Sequence, residues 1–383
     1  MRKTKPSFLF LIALAMSAVG VSQTAYDSLQ LKLPKHYFQT VISVDGYRKP
    51  ERKLDTAKNI GKRLQTYGIK QTTFSFYSPL ATQDKYLADS TIQNTHLLLT
   101  GTIMSLRPQF AGVSDHNLIK AGIGLRYIYN TGKKGVWFFD VSPFITKDVS
   151  HNSNPYYRLT SAIIYSRNPS EKFAWRIGAV KSFQWGNRLY LPFVGLRFGA
   201  LNKVHLSIQF PRYLSVNIPV GAHSFFSYYG MAQGGMYNFS NADSLYPVKT
   251  ERTFQFARRE MNHGFRYDYR GSKWFGCYVA LGISSRNNIT FYSERANKIR
   301  KALNYDTYFF TTKAPATLYI NLGLVFKFGT ARSSFNNKNL MEAQDLMNAP
   351  AGNYGNNLRN LNAVKQNKLN LNDVQELVDY SDF

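Results

Sequence analysis

From about residue 36 to residue 330, apolar side chains recur at every second position. This is the period of a β-strand, whose successive side chains point to opposite faces. Residues 316–328 are the clearest example, because one face of the segment is wholly apolar and the other is mostly small or polar. Residues 118–130, 204–210 and 275–283 repeat the alternation. The pattern therefore predicts an all-β chain over this region.

Eight further runs show a weaker alternation and are also predicted to be strands. They are residues 69–78, 95–106, 136–145, 157–166, 172–183, 189–200, 213–220 and 253–257. Turn sequences lie between several of them, namely TGKKG at 131–135, RNPSE at 167–171, WGNR at 185–188 and RGSK at 270–273. Crossings of about 9–11 residues joined by turns have the dimensions of a transmembrane antiparallel β-barrel. The patterned region is long enough for about 12–14 such strands.

A water-soluble sandwich or barrel would show the same alternation, because the pattern does not say which face is outside. Composition favours the membrane barrel. Charged residues make up 18% of the chain, whereas soluble domains typically have about 25%. The non-apolar strand faces are rich in Gly and Tyr, unlike a densely charged solvated surface. The mean hydropathy of −0.32 excludes a bundle of membrane helices and is what half-apolar strands produce.

The first 22 residues are predicted to be a secretory signal peptide. Arg2, Lys3 and Lys5 precede the apolar run FLFLIALAMSAVGV, and small residues precede a cleavage site before Gln23. The apolar run is shorter than a membrane-spanning helix, which needs about 20 residues. The alternative is an uncleaved membrane anchor. Removal of the three basic residues with the leader lowers the formal charge from +26 to +23. Residues 23–330 are then assigned to the barrel.

The leader, the Tyr- and Phe-rich strands and the last strand LYINLGLVFKF, ending at Phe328, resemble outer-membrane β-barrel proteins of Gram-negative bacteria. The stretch LPFVGLRFGALNKVHLSIQF at 191–210, followed by Pro211, is similar to the uncharacterised, domain-of-unknown-function barrel families among them. The resemblance covers residues 33–330 and implies the fold and an outer-membrane location, in contact with outer-membrane lipid. The chain departs from the usual pattern because 53 residues follow Thr330, whereas the closing strand normally ends such proteins.

Cationic side chains are predicted to line the interior of the barrel. They lie on the small or polar strand faces and comprise Lys120, Arg126, Arg158, Arg176, Arg197 and Lys327. Asp140 is the lone clear acid assigned to the interior. A cationic lumen raises the local concentration of anions, so the first functional hypothesis is a porin-like channel for small anionic or amphipathic solutes. The same charges would be structural if they pair with neighbours or with a plug.

A basic segment at residues 48–63 is predicted to be the first outer loop, if the N-terminus is periplasmic. Lysine and arginine bind phosphate well, so the loop is a candidate for contact with lipopolysaccharide. The candidate residues are Arg48, Lys49, Arg52 and Lys53. The alternative is a solvated charged loop without a ligand, and the same alternative applies to the basic stretch at 293–301.

Residues 331–383 are Asn-rich and are predicted to form a periplasmic tail of mostly irregular or short-helical structure. Val374, Leu377 and Val378 share one face of a short helix that Asn372 would cap. The last fifteen residues hold four acids and no base. The tail is expected to plug the lumen, to dock a periplasmic or secretion-machinery partner, or to stay disordered. Docking is the second functional hypothesis, in which the barrel is a non-conducting scaffold.

Catalysis is the third hypothesis, and the chain is predicted not to be an enzyme. His205 and Ser207 lie on one strand face with the spacing of a base–nucleophile pair, similar to the His-x-Ser of outer-membrane phospholipases. Ile208 and Gln209 follow where those enzymes have Asn-Gly. The single Cys277 excludes a disulfide scaffold, and the seven His residues show no metal-ligand spacing, so no cofactor or metal is expected. The positive charge is spread along an exported chain, which argues against nucleic acid as a partner.

Overall fold

A computed structural model describes residues 38–54, 65–86, 92–111, 114–131, 135–151, 153–170, 172–183, 189–201, 203–221, 224–240, 253–269, 274–293 and 310–329. These residues form fifteen strands. The strands are β1 (Thr40–Lys53), β2 (Thr66–Tyr86), β3 (Ile92–Gln109), β4 (Leu118–Asn130), β5 (Val136–Asp148), β6 (Tyr156–Ser170), β7 (Phe173–Ser182), β8 (Leu189–Phe198), β9 (His205–Phe210), β10 (Tyr213–Pro219), β11 (Ser224–Ser240), β12 (Thr253–Tyr269), β13 (Phe275–Ser293), β14 (Phe310–Ala314) and β15 (Thr317–Phe328). Within the described ranges, no helix is long and apolar enough to cross a membrane.

The strands form a closed antiparallel barrel. Strands β1 to β13 each pair with the next along the chain, and β15 pairs with both β13 and β1. Strand β14 pairs with the far half of β13, so β14 and β15 together occupy one position in the wall, interrupted at Pro315. Proline cannot donate a ladder hydrogen bond, which explains the interruption. The barrel therefore has 14 strands around it, and the prediction of a barrel with about 12–14 strands is confirmed.

The two ends of the barrel differ in the length of their connections. Thr40 pairs with Phe328, so β1 begins and β15 ends at the same end, which we call the terminal rim. The opposite end, the loop rim, has the three longest connections, at residues 54–65, 241–252 and 294–309. No connection at the terminal rim is longer than residues 199–204. Outer-membrane barrels show the same asymmetry, with short turns at one end and long loops at the other.

The outward face of the barrel is apolar. On β15 the exposed residues are Leu318, Ile320, Leu322, Leu324 and Phe328. The intervening side chains point inward, and those of Tyr319 and Lys327 are buried. A soluble barrel has the reverse arrangement, with an apolar interior and a polar outer surface. The apolar face is therefore outside and the polar face inside, as in a membrane barrel and as the alternation and the composition predicted.

Sequence patterns missed three strands and gave several others too short, β12 and β13 among them. Strands β1, β11 and β14 were not predicted, and residues 48–53, expected in an outer loop, form the second half of β1. Strands β12 and β13 extend beyond the predicted ends at residues 257 and 283. A bulge in β13 contributes to the second error, because Arg286 has φ +49° and the pairing with β12 shifts beside it. The extra residue changes which positions face inward.

Tyr319 lies over a flat patch made by two glycines on the neighbouring strands. Gly264 of β12 and Gly282 of β13 are paired in register. A Cβ atom at Gly282 would lie 2.1 Å from the backbone oxygen of His263 and 2.7 Å from the hydroxyl of Tyr319. That hydroxyl is 2.6 Å from the hydroxyl of Tyr229, so the ring is held from the far side. Glycine is therefore required at 282 by close backbone approach.

Replacement of Gly282 by alanine is expected to lower the free energy of unfolding by about 1–3 kcal/mol, because the backbone of β12 must move. The measurement is the midpoint of denaturant unfolding. The folded fraction is monitored by electrophoresis of unboiled samples, in which the folded protein gives a shifted band. Gly46→Ala is the control, since a Cβ atom there would meet nothing within 4 Å. Equal midpoints for the two variants would contradict the close approach.

Candidate functional site

A dense group of charges lies inside the barrel around Glu260 of β12. The ammonium group of Lys49, from β1, is 2.7 Å from Glu260 Oε2, and Arg258 Nε is 3.0 Å from Oε1. Ser284 Oγ donates a hydrogen bond of 2.8 Å to Oε2. Each of the three charged residues is at most 2% exposed. This Glu260 network thus joins walls that are far apart in the sequence and excludes water from its ions.

Local strand structure explains how the Glu260 network assembles. The alternation of β12 points Arg258 and Glu260 to the same side, two positions apart. The bulge at Arg286 turns Asn287 inward, where its Oδ1 accepts a hydrogen bond of 3.3 Å from Lys49. Lys49 Nζ also lies 4.6 Å from the centroid of the Tyr67 ring, close enough for a cation–π contact. Every charge in the network therefore has partners supplied by the protein itself.

A second charged group lies closer to the terminal rim. Arg266 forms two hydrogen bonds with Asp268, of 2.8 and 2.6 Å, and its guanidinium lies 3.7 Å from the centroid of the Tyr278 ring. The Tyr278 hydroxyl donates to Asp45 of β1. The prediction that Asp140 is the lone interior acid is therefore wrong. Interior acids also include Asp45, Asp148, Glu260 and Asp268, all of them buried. The interior therefore contains buried ion pairs as well as cations and is not simply cationic.

Aromatic side chains fill the interior at the loop rim. The members of this aromatic cluster come from β2, β11, β12, β13 and the residue after β3, and comprise Tyr67, Phe110, Tyr237, Phe239, Phe254, Phe256 and Phe291. Ring centroids are 5.3 Å apart for Phe239 and Phe291 and 5.4 Å apart for Phe256 and Phe291. These are the separations of packed aromatic pairs. At this end the interior is a packed core rather than a water-filled space.

Opposite walls of the barrel also touch at the loop rim. Strand β11 packs against β4 and β5, which are not its neighbours in the sheet. The backbone nitrogen of Ser240 donates to Asp148 Oδ2 at 3.1 Å, and Arg158 donates to the backbone oxygen of Met236 at 3.1 Å. Asn238 donates to the backbone oxygen of Asn154 at 3.0 Å. The barrel is therefore pinched between β11 and the β4–β5 hairpin.

The six cations predicted to line the lumen lie on the inner side of the wall but do not form one site. Arg158, Arg176, Arg197 and Lys327 are buried, and Lys120 and Arg126 are partly buried. Lys120 and Arg158 meet around the packed rings of Phe144 and Phe183. Arg126 is 2.8 Å from Asp140, and Arg197 donates to the backbone oxygen of Gly199 at 2.5 Å. These cations contact protein groups, and a role in solute binding stays a prediction.

The predicted lipopolysaccharide contact is wrong for one of its four residues. Lys49 points into the barrel, is 1% exposed and is bound to Glu260, so it cannot reach a lipid phosphate. Arg48, Arg52 and Lys53 are exposed on the loop-rim half of β1, and lipid contact stays a prediction for them. Residues 55–63 and 294–301 lie outside the described residues. So do the signal peptide and the predicted docking residues Val374, Leu377 and Val378.

Both ring nitrogens of His205 are hydrogen-bonded to groups of the protein. His205 Nδ1 donates to the backbone oxygen of Lys203 at 3.0 Å, so Nε2 is the acceptor of the ring. Asn217 Nδ2 lies 3.2 Å from Nε2 and donates to it. The nitrogen that would act as the base for Ser207 is therefore occupied by an amide. Both His205 and Ser207 are buried inside the barrel wall.

Comparisons with known proteins add little. No family model and no curated protein matches the chain. Among solved structures, the β domain of the Bordetella autotransporter BrkA has a TM-score of 0.28 at 9% identity, covering 76% of this chain and 100% of that one. The transport unit of the Escherichia coli autotransporter AIDA-I has a TM-score of 0.25 at 9% identity, covering 85% of this chain and 98% of that one. Likenesses this weak support no inference about function.

Proposed function

We propose that this chain is an outer-membrane β-barrel whose lumen is closed by its own side chains, and that it acts as a structural or partner-binding barrel rather than as an open pore. The observation that carries the proposal is the filled interior. The aromatic cluster packs at the loop rim, and the Glu260 network joins the walls next to the cluster, on its terminal-rim side. Strand β11 also contacts β4 and β5 directly. A porin needs a continuous water-filled path.

The outward surface supports the membrane location. Exposed apolar side chains lie on every long strand, and such a surface is stable in lipid but unfavourable in water. A row of rings also runs along the outside near the terminal rim: Trp137 and Tyr165 have centroids 4.9 Å apart, and Tyr165 and Trp175 are 5.5 Å apart. Tryptophan and tyrosine are enriched where a barrel meets the lipid headgroups.

The connection lengths support an orientation. Outer-membrane barrels have short periplasmic turns and long extracellular loops. The terminal rim has the short turns, so it is the periplasmic end, and the strands start and finish there. The pinched loop rim is then extracellular. A tail that follows β15 would enter the periplasm, where it could reach a periplasmic partner.

The folded full-length chain is expected to fractionate with the outer membrane and to give no steady, porin-sized conductance in planar lipid bilayers. A known porin, reconstituted in parallel, controls for the sensitivity of the measurement. The shift of the folded band on boiling controls for correct folding of the sample. Steady open channels in the folded sample would contradict the closed lumen and would favour the porin-like hypothesis. Recovery in the periplasmic soluble fraction would contradict the membrane location.

A further inference from the structure

Three side chains of metal-binding type meet at the loop rim. His116 lies just before β4, Asp148 ends β5, and His151 follows β5. One ligand atom from each residue lies within 4.8 Å of the others. The side chains of His116 and Asp148 have no solvent exposure, whereas His151 is partly exposed. The three residues thus form a small polar site that opens toward the outside through His151.

The hairpin register brings these residues together. Leu118 and Asp148 are paired partners at the end of the β4–β5 hairpin. His116 precedes the first of them by two residues and His151 follows the second by three, so the two rings meet beyond the last pair. They stack with centroids 4.5 Å apart. The backbone nitrogens of Ser150 and Ser240 donate to the Asp148 carboxylate at 3.2 and 3.1 Å, which fixes its position.

One atom of the group lacks a partner. His151 Nε2 is 2.9 Å from the hydroxyl of Ser114, but His151 Nδ1 is buried and makes no hydrogen bond. A buried polar atom without a partner costs about 1–3 kcal/mol. His116 Nδ1 is 2.5 Å from Asp148 Oδ2, so these two atoms are partners of each other. The arrangement therefore leaves one imidazole nitrogen available for a ligand.

We propose that His116, Asp148 and His151 bind one divalent transition-metal ion of the zinc class. Two imidazole nitrogens and one carboxylate oxygen are a donor set that suits zinc, whereas calcium and magnesium prefer oxygen alone. The ion takes the place of the proton shared by His116 Nδ1 and Asp148 Oδ2, which is released to solvent. These two atoms separate as each comes to about 2 Å from the metal. His151 Nδ1 supplies the third ligand and water the fourth.

The site lies beside the contact between β11 and the β4–β5 hairpin. Asp148 already contacts β11 through Ser240, and the His116 ring lies 3.7 Å, centroid to centroid, from Phe239 of the aromatic cluster. An ion bound here would join the segment before β4 to the end of β5, beside the contact between Asp148 and β11. The site depends only on the geometry of this rim. A failure of metal binding and a failure of the closed lumen are therefore separate results.

The test is a calorimetric titration of the folded full-length protein with zinc after treatment with EDTA. Metal analysis of dialysed samples then gives the number of bound ions per chain. We expect one zinc ion per chain. Loss of a residue that only supports a metal ligand typically weakens metal binding about 10–100-fold. His151→Gln removes a ligand itself, so we expect it to weaken zinc binding at least as much. Asp148→Asn is expected to weaken it as well. Cobalt in place of zinc should give the visible absorption bands of a four-coordinate site, and these should be lost in His151→Gln.

Two variants serve as matched controls. Ser114→Ala removes the hydrogen bond to His151 and no ligand, so it should keep one ion per chain. His263→Gln removes a histidine of β12 whose Nε2 is bonded to Ser285, and it should leave zinc binding unchanged. Absence of saturable zinc binding in the wild type would overturn the proposal, and so would equal affinity in the wild type and His151→Gln. If Asp148→Asn does not fold, the partly exposed His151 still decides the question.

Discussion

Glu260→Gln is expected to lower the free energy of unfolding by about 3–5 kcal/mol, the cost of breaking a buried ion pair by removing one partner. Glutamine has the shape of glutamate, so packing is kept and only the charge is lost. Lys49 and Arg258 would then share a site that excludes water without an acid to neutralise them. The measurement is equilibrium unfolding by denaturant in lipid vesicles, with the wild type in the same lipid as reference.

Glu51→Gln is the matched control for Glu260→Gln. Glu51 lies on β1 and is exposed, and its carboxylate accepts a hydrogen bond of 3.0 Å from Thr66. Even exposed ion pairs are worth only about 0–1 kcal/mol, so a small cost is expected for the loss of this charge. Lys49→Met placed in the Glu260→Gln background should recover part of the loss, because it removes one of the two uncompensated cations. Equal costs for Glu260→Gln and Glu51→Gln would show that water reaches the network.

The strand face that points outward could be predicted from the sequence where one face of the strand is wholly apolar. Residues 316–328 meet this condition, and the structure points Leu318 and Leu322 outward as the alternation indicates. On the second half of β12 the same rule holds but is harder to read, because the outward Phe265 and Tyr267 are interleaved with charged residues. A charged stretch in a sequence suggests a solvated loop. In a closed barrel those charges face inward and neutralise one another.

The functional groups themselves could not be predicted, because their partners are distant in the sequence. Lys49 and Glu260 are 211 residues apart, and His116 and Asp148 are 32 apart. No local motif relates either pair. Only the strand register and the direction of each side chain bring them together, and register across a barrel depends on bulges such as that at Arg286. The lumen cations could be assigned to the inner face, but not their individual partners.

Phe256→Ala is expected to cost about 3–5 kcal/mol, the usual cost of removing a fully packed aromatic ring. Phe256 has no solvent exposure, and its ring centroid is 5.4 Å from Phe291 and 6.1 Å from Phe239. The neighbouring rings belong to other strands and cannot close the space without moving the wall. The measurement is again denaturant unfolding in vesicles. The dependence of the unfolding free energy on denaturant concentration is compared with that of the wild type.

Phe265→Ala on the same strand is the control, since it points outward and is 54% exposed. Lipid chains can fill the space left by this ring, whereas nothing mobile can fill the space left by Phe256. The difference between the two variants therefore measures whether the interior is packed. In a water-filled lumen the Phe256 ring would contact water, and its removal would be nearly neutral because apolar surface in water is unfavourable. A cost for Phe256→Ala no larger than that for Phe265→Ala would thus contradict the closed lumen, by a route independent of conductance.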